Sequence, residues 1–407
     1  MAGPSSVLVL VAALLAWTFL TPDDDADEPY VAQVPSATSS ALDAGGAAQA
    51  LQGLVTALND GDRAAAAALA APDDSATSTR LAELADTAAA ARIGDLSMRY
   101  ITEAGGRAAD GTWAAEVDVA WAYEGFDDEP TATGVQVRFR DDGDGVRVAG
   151  IGGGSLRTPV WMSGPMQVRR TDDLLVVAAA GLDLDSYVQT ARRALPVVER
   201  VLTAWTPRLV VEVPADRAAL ESALGSESGY YAQIAAVTGS GGLVGPDAPN
   251  HVFVNPEVFD GLGRAGQDVV LAHESTHVAT DAPASQAPTW LVEGFADYVA
   301  LRDTRLPLTR TAKQVAQQVR TDGVPDALPT PAEFDTRGPH LGAVYESAWL
   351  ICETLAAAAD DAVLVAFYDA VSAGADVAAE LRAGLGWTEA DLVRAWQDRL
   401  RDLPGAA

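Results

Sequence analysis

His273-Glu274-Ser275-Thr276-His277 carries the side chains that metal chemistry needs, at the spacing a helix requires. Residues four apart project from one helix face about one turn from each other, so both imidazoles can hold a single cation. The flanking residues Val269 to Ala272, Val278 and Ala279 are apolar, which suits a half-buried helix. Glu274 stands beside the first imidazole. From there a carboxylate can reach a metal-bound water without being a ligand itself, as the general base of a zinc hydrolase must. The plain alternative is a helix with two polar histidines on a half-buried face and no metal. The whole chain has only four histidines, so chance explains the pattern poorly.

Catalytic zinc usually takes three protein ligands and keeps a fourth position open. A third donor is expected downstream, and Trp290-Leu291-Val292-Glu293-Gly294-Phe295-Ala296-Asp297-Tyr298 offers Glu293 on a second amphipathic stretch. Asp297 follows four residues later on the same face, where it can accept the free N–H of a ligating imidazole and orient the ring. Between the two stretches, Asp281 to Pro288 contains two prolines and reads as a loop. Helix, loop and helix would bring Glu293 back toward the histidines.

With both motifs in view, the segment resembles the gluzincin metallopeptidases, the thermolysin-like and aminopeptidase-like zinc enzymes whose third ligand is a glutamate on the next helix. The resemblance implies one zinc ion held by His273, His277 and Glu293, with Glu274 as general base and proton shuttle and Asp297 behind the ligands. The separation from His277 to Glu293 is shorter than in the best-known members, which bears on the loop path. The metzincin pattern does not apply, because Thr280 and Pro283 occupy the positions where it requires glycine and histidine. The same resemblance implies a donor for the developing oxyanion on a later helix. His340 and Tyr345 are the candidates, and Tyr345 is preferred because the segment from Gly338 to Leu350 resembles the helix that follows the third ligand in these enzymes. Packing of Tyr345 on Trp349, with His340 in a loop, is the bland reading of the same residues.

The elements that must position these groups are partly legible. Leu209 to Val213 and His251 to Asn255 have the length and composition of strands. The first reads as a core strand, and the second as either a core strand or the edge that would hold an extended substrate. His251 reads as a surface histidine. Helices are expected over 362–371 and 376–385, then from Thr388, whose capping position is matched by Asp391 three residues on. Cys352, the only cysteine, sits in an apolar helical stretch, reads as a small core residue and cannot form an internal disulfide.

Ahead of this segment, residues 41–71 and 79–91 are alanine-rich and helical in pattern. Trp113, Val117, Val119, Trp121 and Tyr123 then share one parity, and Val135, Val137 and Phe139 alternate with polar residues. That is a half-buried antiparallel sheet. Helices followed by strands imply a small α+β domain, loosely similar to cystatin-like or nuclear transport factor 2-like cone folds. Asp141 to Gly145 lacks the spaced donors and closing glutamate of a calcium loop and reads as a hairpin turn. Gly150 to Gly154 lacks the spacing and lysine of a phosphate loop and falls near the domain boundary.

Length and charge bound the rest. A chain of 407 residues can bury two cores. Its net charge of −30, with Lys313 the single lysine, excludes a basic surface for nucleic acid or anionic lipid. Met1 to Pro22 has no charged side chain, and its apolar core from Val7 to Leu20 would span roughly 21 Å as a helix against the roughly 30 Å of a bilayer interior. A single membrane anchor with the rest of the chain outside is preferred to a cleaved signal peptide. No cysteine follows the segment, which excludes lipid attachment there in a bacterial chain. The expected organisation is an anchor or signal over 1–22, a flexible acidic linker over 23–40, an α+β accessory domain over 41–160, and over 161–407 a mainly helical thermolysin-like domain with a small sheet. The expected function is an extracytoplasmic zinc metallopeptidase acting on peptides or proteins. The alternative is a cell-surface binding protein that retains a peptidase fold without catalysis.

Overall fold

Alanine-rich segments headed by aspartates form the first helices: α1 (Ala44–Asn59), α2 (Arg63–Ala67) and α3 (Ser75–Ala91). The carboxylates of Asp43, Asp62 and Asp74 accept from backbone N–H groups of the first turns, which would otherwise have no partner. The computed structural model describes residues 42–242, 248–335 and 338–405. The expected anchor over 1–22 and linker over 23–40 lie outside these residues.

A four-stranded antiparallel sheet follows, made of β1 (Ile93–Glu103), β2 (Thr112–Tyr123), β3 (Thr131–Asp141) and β4 (Val146–Ile151) in that order. Trp113, Ala115, Val117, Val119 and Trp121 are buried while the residues between them are half-buried, as period-2 alternation requires. Val117 lies opposite Val135 and Trp113 opposite Phe139, so the apolar parities of the two strands share one face. Asp141 to Gly145 forms the hairpin between β3 and β4, in line with its expected role as a turn.

After α4 (Val160–Ser163), a second sheet is built from β5 (Met166–Arg170) and β6 (Leu174–Ala179), then, beyond α5 (Leu184–Glu199), from β7 (Leu209–Val213). Helix α6 (Arg217–Leu224) leads to β8 (Ala236–Gly239) and β9 (His251–Val254). The strand order is β5-β6-β7-β9-β8, with β6, β7 and β9 parallel and the two outer strands antiparallel to their neighbours. The run Leu174-Leu175-Val176-Val177 is apolar without alternation because both faces are covered. Leu174 and Val176 pack with residues of α5 and the histidine-bearing helix, whereas Leu175 and Val177 join Trp161, Met162 and the core of the first sheet. The two sheets thus share packing, and residues from Leu42 onward form one compact unit.

One reading of the second sheet left open by the sequence is resolved, and one expectation is corrected. β9 is an interior strand, paired with β7 on one side and β8 on the other, so the sheet edge is β8 and not the segment starting at His251. His251 is not at the surface; it is 2% exposed. Its Nδ1 lies 2.8 Å from Glu212 Oε1 on β7 and its Nε2 2.9 Å from Asp127 Oδ1, in the loop that joins β2 to β3. Tyr123 Oη donates to Glu212 Oε2 at 3.2 Å. An imidazole between two carboxylates therefore links the two sheets.

The remainder is helical. Short α7 (Pro256–Phe259) precedes α8 (Arg264–Ala279), and α9 (Thr289–Leu301), α10 (Leu308–Thr311), α11 (Lys313–Asp322) and α12 (Leu341–Ala358) follow. The chain closes with α13 (Asp361–Ser372), α14 (Val377–Leu385) and α15 (Glu389–Arg401). Leu291, Phe295, Trp349, Ile351, Tyr368 and Trp396 are among the residues of their common core. The capping box of Thr388 and Asp391 forms as its spacing implies. The fold class is α+β. Among the described residues, no helix is long and apolar enough to cross a membrane.

The His251 clamp carries a pH signature. Burial opposes its charge, but Asp127 and Glu212 outweigh burial and raise the pKa to about 10. An unfolded histidine titrates near ~6.5. The clamp's contribution is therefore full below that value, declines above it, and is lost as pH rises through the folded pKa. His251→Gln, which leaves two buried carboxylates facing a neutral group, is expected to cost about 3–5 kcal/mol near neutral pH. Denaturant midpoints measured across the alkaline range should fall for the wild type and stay flatter for the variant; parallel curves would rule the clamp out.

Candidate metal centre

Helix α8 has two working faces. Leu271 and Ala272 are buried against the second sheet and α5, and Val278 packs on the same core. His273 and His277 turn the other way, toward α9. After Ala279 the helix ends, and Asp281 adopts a left-handed backbone with φ of 49° before the single turn Ala282–Ala284. The loop is tied to the end of α13, where Gln286 N–H donates to Ser372 O at 3.0 Å and the Ser285 and Ser372 hydroxyls are hydrogen-bonded at 2.9 Å. Pro288 then precedes the first residue of α9, compatible with a helix start because proline has no N–H to satisfy.

α9 buries Leu291, Phe295, Tyr298 and Val299 in the helical core, with the Phe295 ring stacked on Tyr368 at 4.2 Å. Glu293 and Asp297 lie on its opposite face. His273 Nε2 and His277 Nε2 are 2.9 Å apart, and Glu293 Oε2 is 3.3 Å from each. Three side-chain atoms from two helices thus lie together as a small triangle. Four donors arranged tetrahedrally at about 2.0–2.1 Å from zinc stand about 3.3 Å from one another. Two edges of the triangle match that spacing and the third is shorter, at 2.9 Å, and two imidazoles with one carboxylate suit the same ion. Asp297 Oδ1 is 2.8 Å from His273 Nδ1, which directs the lone pair of Nε2 toward the triangle when the ring is neutral. His277 Nδ1 is buried and has no hydrogen-bond partner among the described residues.

Electrostatics follow from this crowding. Burial disfavours charge on His273, but Asp297 above all, with Glu293 and Glu274, holds its pKa well above the usual value. Burial opposes ionisation of Glu293 as well, yet the two imidazoles hold its pKa far below the ordinary range.

Glu274 is 8% exposed and borders a cavity of about 200 Å³ together with His273, Asp297 and Tyr345. Ile234, Ala236, Val269 and Val270 supply its apolar wall. The Thr238 hydroxyl on β8 lies 2.7 Å from Glu274 Oε2 and 3.1 Å from Glu274 O. Tyr345 on α12 reaches the same cavity, its ring centroid 6.3 Å from that of His273 and 5.3 Å from Phe334. Burial, followed by the carboxylates of Glu293, Glu274 and Asp297, raises the Tyr345 pKa, so its hydroxyl keeps its proton. His340 is exposed at the head of α12 and borders a different cavity with Gln314 and Gln317, so the structure separates it from the centre.

Two contributors escape a reading of the sequence alone. Thr238 has no signal, because it is brought to Glu274 only by the pairing of β8 with β9. Gly294 has one, since a glycine inside a helix is costly by propensity and asks for a reason. The reason is close packing: a Cβ there would stand 2.3 Å from Ala348 O and 3.0 Å from Cys352 Sγ. α9 and α12 approach closely at the residue that follows Glu293, and Cys352 is a buried wall of that contact. No protein-family profile matches the chain, and no curated protein matches it.

Gly294→Ala is expected to destabilise the fold by about 1–3 kcal/mol through overpacking and to shift α9, weakening metal binding more than a distant core change of equal cost. Calorimetric zinc titration beside denaturation separates these effects. Asp297→Ala should leave the three donors in place and lower zinc affinity about 10–100-fold. Unchanged affinity would show that Asp297 does not orient His273.

Proposed function

We propose that the protein is a zinc-dependent metallopeptidase of gluzincin type. The observation that carries this reading is the triangle of His273, His277 and Glu293, sized for a tetrahedral cation, with Glu274 in the adjoining cavity. When bound there, zinc would polarise a scissile carbonyl and make a water more acidic. The chain's own groups do the remaining work. Asp297 keeps His273 in the ligating tautomer. Glu274 takes a proton from the attacking water on its carboxylate and delivers it to the leaving nitrogen. The Tyr345 hydroxyl, protonated and facing the same cavity, donates to the carbonyl oxygen as charge develops on it. The free edge of β8 offers backbone groups to an extended peptide.

A helix, a loop and a second helix bearing the third donor, beside a sheet edge, also support a thermolysin-like reading of residues 161–407. The preceding α+β region would then serve as an accessory domain, and the apolar segment at 1–22 would direct the catalytic part outside the membrane as an anchored or secreted enzyme. The substrates would be peptides or proteins.

Purified protein should contain one zinc ion, lose peptide hydrolysis on chelation and regain it when zinc is restored. His273→Ala should abolish zinc binding. Glu274→Gln should retain zinc while turnover falls by about 10²–10⁴-fold or more. A zinc-loaded Glu274→Gln protein that still cleaves a peptide library would remove Glu274 from the reaction. A wild type that binds a protein partner but cleaves nothing would favour the binding-protein alternative.

A further inference from the structure

We propose that Thr238 is a positioning residue for the proton shuttle, holding the Glu274 carboxyl in its working orientation whether or not it carries the proton. The inference rests on the hydrolase reading above and adds a residue to it from outside both metal-binding segments.

β8 is four residues long and forms the sheet edge beside α8. Alternation along it sends Ala236 and Thr238 toward α8, and Val237 toward Phe253 and Leu220 on the other face. Thr238 is paired with Val252 in the antiparallel ladder, which fixes its height against α8. Its hydroxyl is 2.7 Å from Glu274 Oε2 and 3.1 Å from Glu274 O. A hydroxyl has one hydrogen to give, and the shorter of the two distances places it on Oε2. With Glu274 ionised, Oε2 accepts that hydrogen and leaves Oε1 to take a proton from water. With the proton on Oε1, Oε2 is the carbonyl oxygen of the acid and goes on accepting from Thr238. One hydrogen bond thus serves both states, and the carboxyl need not rotate between taking a proton and giving it up. A carboxylate with free rotation would lose time in geometries that reach neither water nor the leaving nitrogen.

The test compares full-length Thr238→Val and Thr238→Ser. Valine keeps the branched shape that suits a strand and removes the hydroxyl; serine restores the hydroxyl on a smaller side chain. Thr238→Val is expected to lower kcat about 10–100-fold with KM changed less than about twofold and zinc content unchanged. Thr238→Ser should stay within about threefold of wild type. In crystals of the zinc-free proteins, the Glu274 carboxylate should occupy one conformer against β8 in wild type and Thr238→Ser, and rotate or split in Thr238→Val. An unmoved Glu274 in the valine variant, or a serine variant as impaired as the valine one, overturns the proposal. Loss of the underlying reading looks different: the wild type would fail to cleave, or Glu274→Gln would retain turnover, while the crystals would still report whether Thr238 orients Glu274.

Discussion

Two imidazoles and two carboxylates cannot share a largely buried space unless something compensates the cost of removing them from water, and that constraint shapes the centre of this protein. Here they compensate one another. Asp297 meets one nitrogen of His273, and Glu293 lies between the remaining nitrogens of His273 and His277. The arrangement depends on the relative position of α8 and α9, because its contacts cross between them. The close contact of α9 with α12 at Gly294 and the tethering of the α8–α9 loop to Ser372 supply that rigidity.

The sheets act at one remove. The five-stranded sheet packs one face on α5 and α8 and the other on the core it shares with the four-stranded sheet. α8 is therefore supported from behind by two layers. His251, clamped between Asp127 and Glu212, adds an ionic contact to the packing that joins those layers. The same sheet ends in β8, so one short strand both forms the sheet edge among the described residues and brings Thr238 to Glu274. Support and chemistry are thus joined at the edge of the sheet.

Much of this was legible in the chain for a physical reason: helices are local. The spacing of His273 and His277, and of Glu293 and Asp297, determines which side chains share a face before any tertiary contact forms. The Thr388 cap, the alternation along β2 and β3, and the apolar strand Leu209–Val213 are local in the same sense. β8 was not legible, because Ala-Val-Thr-Gly is too short and too weakly patterned to announce a strand. His251 was misread because a histidine at the start of a strand says nothing about carboxylates contributed by β7 and by a loop far earlier in the chain.

By itself, then, the sequence determined which imidazoles and carboxylates share the faces of two helices, with Glu274 beside the first imidazole, since those depend on periodicity within a few turns. Tertiary structure decided whether the faces meet, how far apart the donors stand, that Tyr345 and not His340 shares their cavity, and that Thr238 reaches Glu274. Those outcomes depend on helix packing and strand order between segments remote in the chain, where no local periodicity carries the information.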